Sequence, residues 1–64
     1  MNSEAFPIME HFNIDGMSRV QQRIARPYLK VAEQMIDELT PSAEVAAGLR
    51  KLLESRDCMM REIK

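Results

Sequence analysis

The sequence predicts an all-α protein: an antiparallel hairpin of two helices with a short N-terminal arm or helix, assembling into a helical-bundle oligomer. Apolar residues recur at helical spacing across residues 16–39 and 42–63, and turn-rich clusters precede both segments. Neither period-2 alternation nor a run of aliphatic β-branched residues indicates a strand. The 64 residues are expected to form one domain.

Residues 1–15 form the N-terminal segment, which ends in the turn-rich cluster Asn13-Ile14-Asp15-Gly16. The segment is apolar at Phe6, Ile8, Met9, Phe12 and Ile14, while Pro7 weakens a helical prediction. We expect a short helix or an extended arm that packs across the hairpin, or across a neighbouring subunit.

Residues 16–39 are predicted to form the first helix. At about 100° per residue, one stripe contains Met17, Val20, Ile24, Tyr28, Val31, Ala32, Met35 and Leu39. The stripe keeps its phase through Pro27, which favours one long helix kinked near Pro27. The alternative is a second helix that begins with Pro27 at its first position.

Residues 42–63 are predicted to form the second helix. Thr40 is the expected N-cap, Pro41 takes the first position, and Glu44 lies near the positive end of the helix dipole. The apolar face consists of Val45, Ala46, Leu49, Leu52, Leu53, Met60 and Ile63. A turn of two or three residues then makes the two helices antiparallel.

The short chain leaves little margin over chain entropy, so a homo-oligomer, from a dimer up to a hexamer, is expected. One cysteine excludes an internal disulfide, and one histidine with one cysteine cannot supply a zinc site. We expect no metal and no cofactor. Without a long apolar run or a secretory signal, the sequence predicts no membrane association and a cytoplasmic location with Cys58 reduced.

The sequence carries no recognisable catalytic motif. His11 is the lone histidine, and a lone histidine is more often a solvated side chain than a base. Cys58 has Asp57 beside it, and nearby negative charge disfavours a thiolate. No glycine-rich phosphate loop is present. The chain is therefore predicted not to be an enzyme.

Four cations of the first helix, the cationic ridge, recur at spacings of 4, 3 and 4: Arg19, Arg23, Arg26 and Lys30. Glu33 and Asp37 continue this ridge, so cations precede acids in an order that opposes the helix dipole. One interpretation is a solvated face paired with acids such as Glu4, Glu10 or Asp15. The other is a surface that contacts an anion.

Tyr28, flanked by Arg26 and Lys30, either stacks on a base or packs in the core.

Arg56 falls near the centre of the apolar face of the second helix, where an unpaired charge is costly. Its partner is expected to be an acid across an interface, a carbonyl at a helix end or a ligand phosphate, unless its stem reaches past the core to water. Gln21 lies on the apolar stripe of the first helix, so it pairs with Arg56 either to fix helix register or to line a polar pocket. The predicted interface residues are Gln21, Met35, Leu49, Leu53 and Met60.

The stretch Pro41–Glu54, with the end at Ile63, resembles the C-terminal helix of a family of small phage-associated helical-hairpin proteins. Ungapped matches to that family's Pro-Ser-Arg-Glu turn and following helix are Ser42, Glu44, Leu49, Lys51, Leu52, Glu54 and Ile63. The chain departs from the family pattern at Ala43, Arg50, Leu53 and Cys58. The resemblance covers about a third of the chain well, and its motif is a helix pattern.

The family includes relatives of the phage sponges that block bacterial CBASS and Thoeris immunity. The resemblance implies a non-catalytic oligomer that sequesters a cyclic oligonucleotide or a cyclic ADP-ribose isomer, in the host cytoplasm if the protein is phage-encoded. The predicted ligand residues are Arg23, Arg26 and Lys30 for phosphate, Tyr28 for the base, and Arg56 for a phosphate or an interface acid. The alternative is a helical protein–protein interaction module without a nucleotide ligand. The net charge of −1 and the absence of a basic recognition helix argue against nucleic-acid binding.

Overall fold

A computed structural model describes residues 6–63 of the chain. These residues form a 3₁₀ helix over Pro7–Phe12, helix α1 over Arg19–Glu38 and helix α2 over Ala43–Met60, with no strand among them. The two long helices pack against each other as a hairpin, and the 3₁₀ helix contacts both. The predicted all-α hairpin is confirmed, whereas the oligomer stays a prediction.

Helix α1 begins at Arg19, three residues later than predicted. Asn13 and Gly16 hold the preceding residues in a turn: the Asn13 side chain accepts a hydrogen bond from the Asp15 N–H at 2.9 Å, and Gly16 has a φ of 84°. Ser18 then caps the helix, because its hydroxyl accepts from the Gln21 N–H at 3.2 Å while the Gln21 side chain accepts from the Ser18 N–H at 2.8 Å. The Ser-x-x-Gln spacing is readable in the sequence and sets the helix start.

Pro27 lies inside α1, which continues through it to Glu38. The prediction of one helix rather than two is therefore confirmed. Proline lacks the N–H that would bond to the carbonyl of Arg23, so this turn of the helix is weaker than its neighbours. Arg23 and Pro27 are both exposed, which leaves that part of the helix close to water.

Helix α2 is capped by Ser42 and not by Thr40, which corrects the predicted start. The Ser42 hydroxyl accepts a hydrogen bond from the Val45 N–H at 3.1 Å, so Pro41 lies before the helix and not at its first position. Residues 39–42 therefore link the helices, a longer connection than predicted. The helix ends at Met60 and not at residue 63.

The buried face of α1 differs from the predicted stripe. Ala25, Ala32 and Ile36 are fully buried, and Leu29 packs against the core, whereas Val20, Ile24, Val31 and Leu39 are exposed. Apolar residues cover about half of the helix circumference, and the wheel alone does not decide which part faces α2. The buried edge includes Ala32 and Ile36, which form one cluster with Phe6 and Phe12, and the small side chain of Ala32 allows close packing there.

The 3₁₀ helix covers one side of the hairpin. Phe6 and Phe12, which flank and end it, are buried together with Ala32, Ile36 and Leu49. Ile8 and Met9 pack against the same cluster. Residues 6–12 therefore pack across their own hairpin, which is one of the two arrangements predicted for the N-terminal segment. Residues 1–5 of the predicted arm lie outside the described residues.

Replacing Pro27 by alanine is expected to raise the free energy of unfolding by up to about 3 kcal/mol, because a proline in a helix interior costs that much relative to alanine. Urea unfolding of the two proteins measures the difference. Pro41→Ala is the matched control, since Pro41 is also exposed but lies outside the helices. We expect the control to change stability by about 0.5 kcal/mol or less. A Pro27→Ala protein that is less stable than the parent would contradict this account of α1.

Candidate functional site

Arg56 joins α2 to the end of the 3₁₀ helix. Its Nη1 donates to the His11 carbonyl oxygen at 2.6 Å, and its Nε and Nη2 donate to Asp57 Oδ1 at 3.2 and 2.8 Å. The guanidinium carbon lies 5.9 Å from the centre of the Phe12 ring, within the range of a cation–π contact. We call Arg56, Asp57, His11 and Phe12 the Arg56 cluster. A carbonyl at a helix end was one of the partners that the sequence predicted.

Arg56 is the arginine of this cluster and is buried, and three of its N–H groups donate hydrogen bonds within the cluster. Arg56 is only 9% exposed, and its ion pair with Asp57 is the only ion pair within residues 6–63. The predicted role of Arg56 as a ligand or interface residue stays a prediction. Gln21 forms its hydrogen bonds with Ser18 in the capping box of α1 and none with Arg56. The predicted pair of Gln21 and Arg56 is therefore not formed.

The cationic ridge lies on the solvent side of α1. All four of its side chains are exposed, and Arg26 Nη2 donates to the Gln22 side-chain oxygen at 3.2 Å. Within the described part of the chain, no carboxylate lies within 4.0 Å of a ridge cation, and neither Glu10 nor Asp15 pairs with them. Glu4, another predicted partner, lies outside the described residues. The ridge is a charged surface and not a pocket.

Tyr28 and the cations beside it in sequence point in different directions. Residues two apart on a helix differ by about 200° around its axis, so Tyr28 faces away from Arg26 and Lys30. The ring is half-buried against the core, and its hydroxyl lies 3.4 Å from the Ser55 Oγ. The structure therefore does not bring the predicted base-stacking residue and the predicted phosphate residues together within one chain.

A groove runs between α1 and α2 near the connection that joins them. It has a volume of about 410 Å³ and is lined by Val31, Met35, Leu39, Glu44, Val45, Gly48, Leu49 and Leu52. Glu44 is its one charged residue. Met35 was predicted as an interface residue, and sequence reasoning assigned Val31 and Leu39 to the core. Nothing in the periodicity marks Val31 or Leu39 as exposed, because the wheel treats every apolar position alike.

The groove is part of a longer apolar surface. Five large apolar side chains are exposed among residues 6–63: Val20, Ile24, Val31, Leu39 and Met59. Ile24 lies seven residues before Val31, and Met59 lies seven residues after Leu52, so each shares its helix face with a groove residue. We call this surface the open face, made of Val20, Ile24, Val31, Met35 and Leu39 from α1 and Val45, Gly48, Leu52 and Met59 from α2.

The other predicted interface residues on α2 are largely covered within the chain. Leu49 lines the groove but is only 3% exposed, and Leu53 packs against the core cluster. Met60 is half-buried at the end of the helix. A partner that binds this hairpin without unfolding it would reach Met35 before it reached Leu49. The interface role of these residues stays a prediction.

A second cavity, of about 440 Å³, lies where the 3₁₀ helix meets the connection between α1 and α2. Its lining includes Phe6, Ile8, Ser42 and Arg50, so Arg50 is a cation that faces a cavity and was not predicted to do so.

Cys58 is exposed with a free thiol. Within residues 6–63 no cluster of His, Cys, Asp or Glu side chains has the size that a metal ion requires, and no helix has the length and apolar character needed to cross a bilayer.

Comparison with known proteins gives no relative: no family model matches the chain, and neither do curated proteins or solved structures. The resemblance to the phage helical-hairpin family is therefore an expectation from residues 41–63 alone.

Replacing Arg56 by methionine is expected to lower the free energy of unfolding by about 1–3 kcal/mol, because the charged, part-buried hydrogen bond to the His11 carbonyl is lost. Urea unfolding measures the loss, and amide hydrogen exchange should show faster exchange at residues 9–13. Lys51→Met is the control, since Lys51 is an exposed cation of the same helix. An Arg56→Met protein as stable as this control would show that the Arg56 cluster does not hold the 3₁₀ helix.

Proposed function

We propose that this chain is a non-catalytic interaction module that binds an amphipathic α-helix on its open face. The observation that carries the proposal is the apolar groove between α1 and α2, on the side that the 3₁₀ helix leaves uncovered. Helix-in-groove recognition places apolar residues at i, i+3, i+4 and i+7 into such a groove. The groove offers Val31, Met35 and Leu52 to those residues.

The apolar character of the open face supports this proposal. A contiguous apolar surface on a small protein marks an interaction site more often than isolated apolar residues do. Here five exposed apolar side chains share one face, while the opposite side of the hairpin is closed by Phe6 and Phe12. Met35 and Met59 add flexible side chains that adapt to a partner's shape. The asymmetry between the two sides favours a binding function for the open one.

Gly48 gives an independent reason to expect that a partner helix binds in the groove. It lies inside α2, where glycine costs about 0.8–1.0 kcal/mol relative to alanine. Its φ is not positive, and a Cβ placed there would meet no atom within 4 Å. Neither the backbone nor the packing of this chain therefore requires glycine at position 48. Close approach of another helix to the groove would require it, because glycine leaves room for a partner's side chain.

A leucine in place of Gly48 is expected to fill the groove while leaving the fold intact. We expect the Gly48→Leu protein to be more stable by about 0.5–1 kcal/mol through helix propensity. We also expect it to bind at least tenfold more weakly to a synthetic amphipathic helix of about 20 residues, with leucines at i, i+3, i+4 and i+7 and glutamates at the flanks. Fluorescence anisotropy of the labelled peptide measures the affinity.

Glu54→Leu is the matched control for that experiment. Glu54 is an exposed residue of the same helix and lies about 120° around the axis from Gly48, so the added leucine faces away from the groove. Equal binding by the parent and the Glu54→Leu protein, with loss only in Gly48→Leu, would support the groove as the binding site. Absence of binding by the parent at millimolar concentration would contradict the proposed function.

The second candidate is the sponge that the resemblance implies: sequestration of a cyclic oligonucleotide or a cyclic ADP-ribose isomer in the host cytoplasm by an oligomer of this chain. The observation that favours it is the cationic ridge, whose four exposed cations have no carboxylate partner in the described part of the chain. Because these cations line neither cavity, the ligand site would form between subunits, with Arg23, Arg26 and Lys30 facing the phosphates.

Thermal unfolding against a panel of cyclic di- and trinucleotides and cyclic ADP-ribose isomers tests this candidate. A ligand that binds only the folded protein, at a hundred times its Kd, adds about 2.7 kcal/mol and raises the Tm by several degrees. The sponge predicts one such ligand, recovered unhydrolysed, whose effect disappears in Arg23→Ala and persists in Lys51→Ala. A flat panel would contradict the sponge and leave the interaction module unaffected.

A further inference from the structure

Two charged residues of α1 border the open face on its solvent side. Glu38 follows Met35 by three residues, so the two side chains point about 60° apart around the axis, and Arg23 has the same relation to Val20. Both Arg23 and Glu38 are exposed, and the 15 residues between them correspond to about 22 Å along the helix. The α1 border of the open face is therefore acidic beside the connection at residues 39–42 and basic far from it.

Helix α2 borders the open face with charges in the same order. Glu44 lines the groove itself, next to the connection. Lys51 is exposed and follows Gly48 by three residues, which places it at the edge of the face and about 10 Å farther from the connection than Glu44. The cation precedes the acid on α1 and follows it on α2, so the order is set by distance from the connection and not by chain direction. The open face therefore has an acidic end and a basic end.

The four border charges, Arg23, Glu38, Glu44 and Lys51, are available to a partner. Among residues 6–63 the ion pair of Arg56 with Asp57 is the only one, so no border charge has an oppositely charged side chain within 4.0 Å in the part of the chain described. Charges at the rim of an interface fix the orientation of a partner more than they add affinity. The border charges can therefore select the direction in which a helix lies in the groove.

The position of Glu38 supports a role outside the chain. Glu38 is the last residue of α1, where the negative end of the helix dipole makes an acid unfavourable. It is exposed, and Val31 lies seven residues before it, so Glu38 points only about 20° away from a residue that lines the groove. A cation of a bound helix at this end would offset the unfavourable contact with the dipole.

We propose that the helix bound by the open face is acidic on its flanks from its N-terminus to beyond its middle, basic on its flanks at its C-terminal end, and parallel to α1. The proposal rests on the proposed function and names the chemistry and direction of the partner. The partner's basic end lies beside Glu38 and Glu44, and its acids lie beside Lys51 and Arg23. Acids at the start and bases at the end also suit the partner's own dipole.

The direction of a bound peptide tests this proposal. Two peptides of about 20 residues share their composition and their leucines at i, i+3, i+4 and i+7. The acid-first peptide has glutamates on its flanks over the first two-thirds and lysines over the last third, and the base-first peptide has the reverse order. Each carries a maleimide-linked nitroxide at its C-terminus, which broadens nearby methyl signals in NMR spectra of the protein.

The acid-first peptide is expected to broaden the methyl signals of Leu39 and Val45, which lie beside the connection. The base-first peptide is expected to broaden those of Val20 and Ile24 at the other end, because its lysines then lie at its N-terminus and turn the helix round. Broadening of the same end by both peptides, or of both ends equally by either peptide, would overturn the proposal.

Charge reversal at the acidic end tests the same contacts by affinity. Glu38→Lys with Glu44→Lys is expected to raise the Kd of the acid-first peptide about tenfold at low salt, because attraction at the rim becomes repulsion. Fluorescence anisotropy measures the Kd, and circular dichroism checks the fold. Glu38→Gln with Glu44→Gln, expected to raise the Kd about threefold, takes the place of the lysine pair if that variant does not fold.

Asp37→Lys with Glu54→Lys is the matched control for charge reversal. Both residues are exposed, and the substitutions change the net charge by the same amount on the same two helices. Asp37 lies two residues from Met35, and Glu54 lies two residues from Leu52, so each points about 160° away from a residue of the open face. The control is expected to keep the Kd within about twofold of the parent. Equal Kd values for the control and the Glu38 and Glu44 variant would overturn the proposal.

The two peptides also distinguish failure of this inference from failure of the proposed function. A parent protein that binds neither peptide at millimolar concentration overturns both. Binding of both peptides in one fixed direction overturns the inference and leaves the interaction module in place. Reversal of direction between the peptides, with weaker binding in the Glu38 and Glu44 variant alone, supports both.

Discussion

The hydrogen bond from Arg56 to the His11 carbonyl is the contact on which the arrangement of this small fold depends. It fixes the end of the 3₁₀ helix to α2 and thereby keeps Phe12 over the core. Because the N-terminal segment is held on one side, only that side of the hairpin is closed. The arginine is buried at the cost of its solvation, and that cost is offset by the ion pair with Asp57 and by the Phe12 ring.

The 3₁₀ helix covers one side of the hairpin and leaves the open face uncovered. A hairpin of two helices has one seam, and the apolar circumference of α1 is wider than that seam. The N-terminal aromatic residues cover the excess on one edge, and Val31, Met35 and Leu39 remain uncovered on the other. The core of the single chain is small for a stable domain, so covering the open face would add stability as well as function. Under the proposed function, binding of a partner helix would therefore stabilise the folded chain.

Much of the fold follows from the sequence, because helix periodicity and the breaks at residues 13–16 and 39–42 are local signals. The passage of one helix through Pro27 follows from the phase of its apolar positions, and the demand of Arg56 for a partner follows from its place on the wheel. The choice of buried edge on α1 does not follow, since it depends on where Phe6 and Phe12 pack, which is a non-local contact. Tyr28 and Arg26 were associated through adjacency in sequence, which helical geometry does not convert into adjacency in space.

The central claim is that the open face, and not the side closed by the 3₁₀ helix, is where this protein meets other molecules. Methyl NMR spectra of the wild-type chain, titrated with the synthetic amphipathic peptide, test it most directly, because each side has its own methyl groups. The account predicts that shifts on adding peptide are confined to Val20, Ile24, Val31, Met35 and Leu39, with Ile8 and Met9 unchanged. Shifts that appear at Ile8 and Met9 instead, or no shift at millimolar peptide, would contradict it.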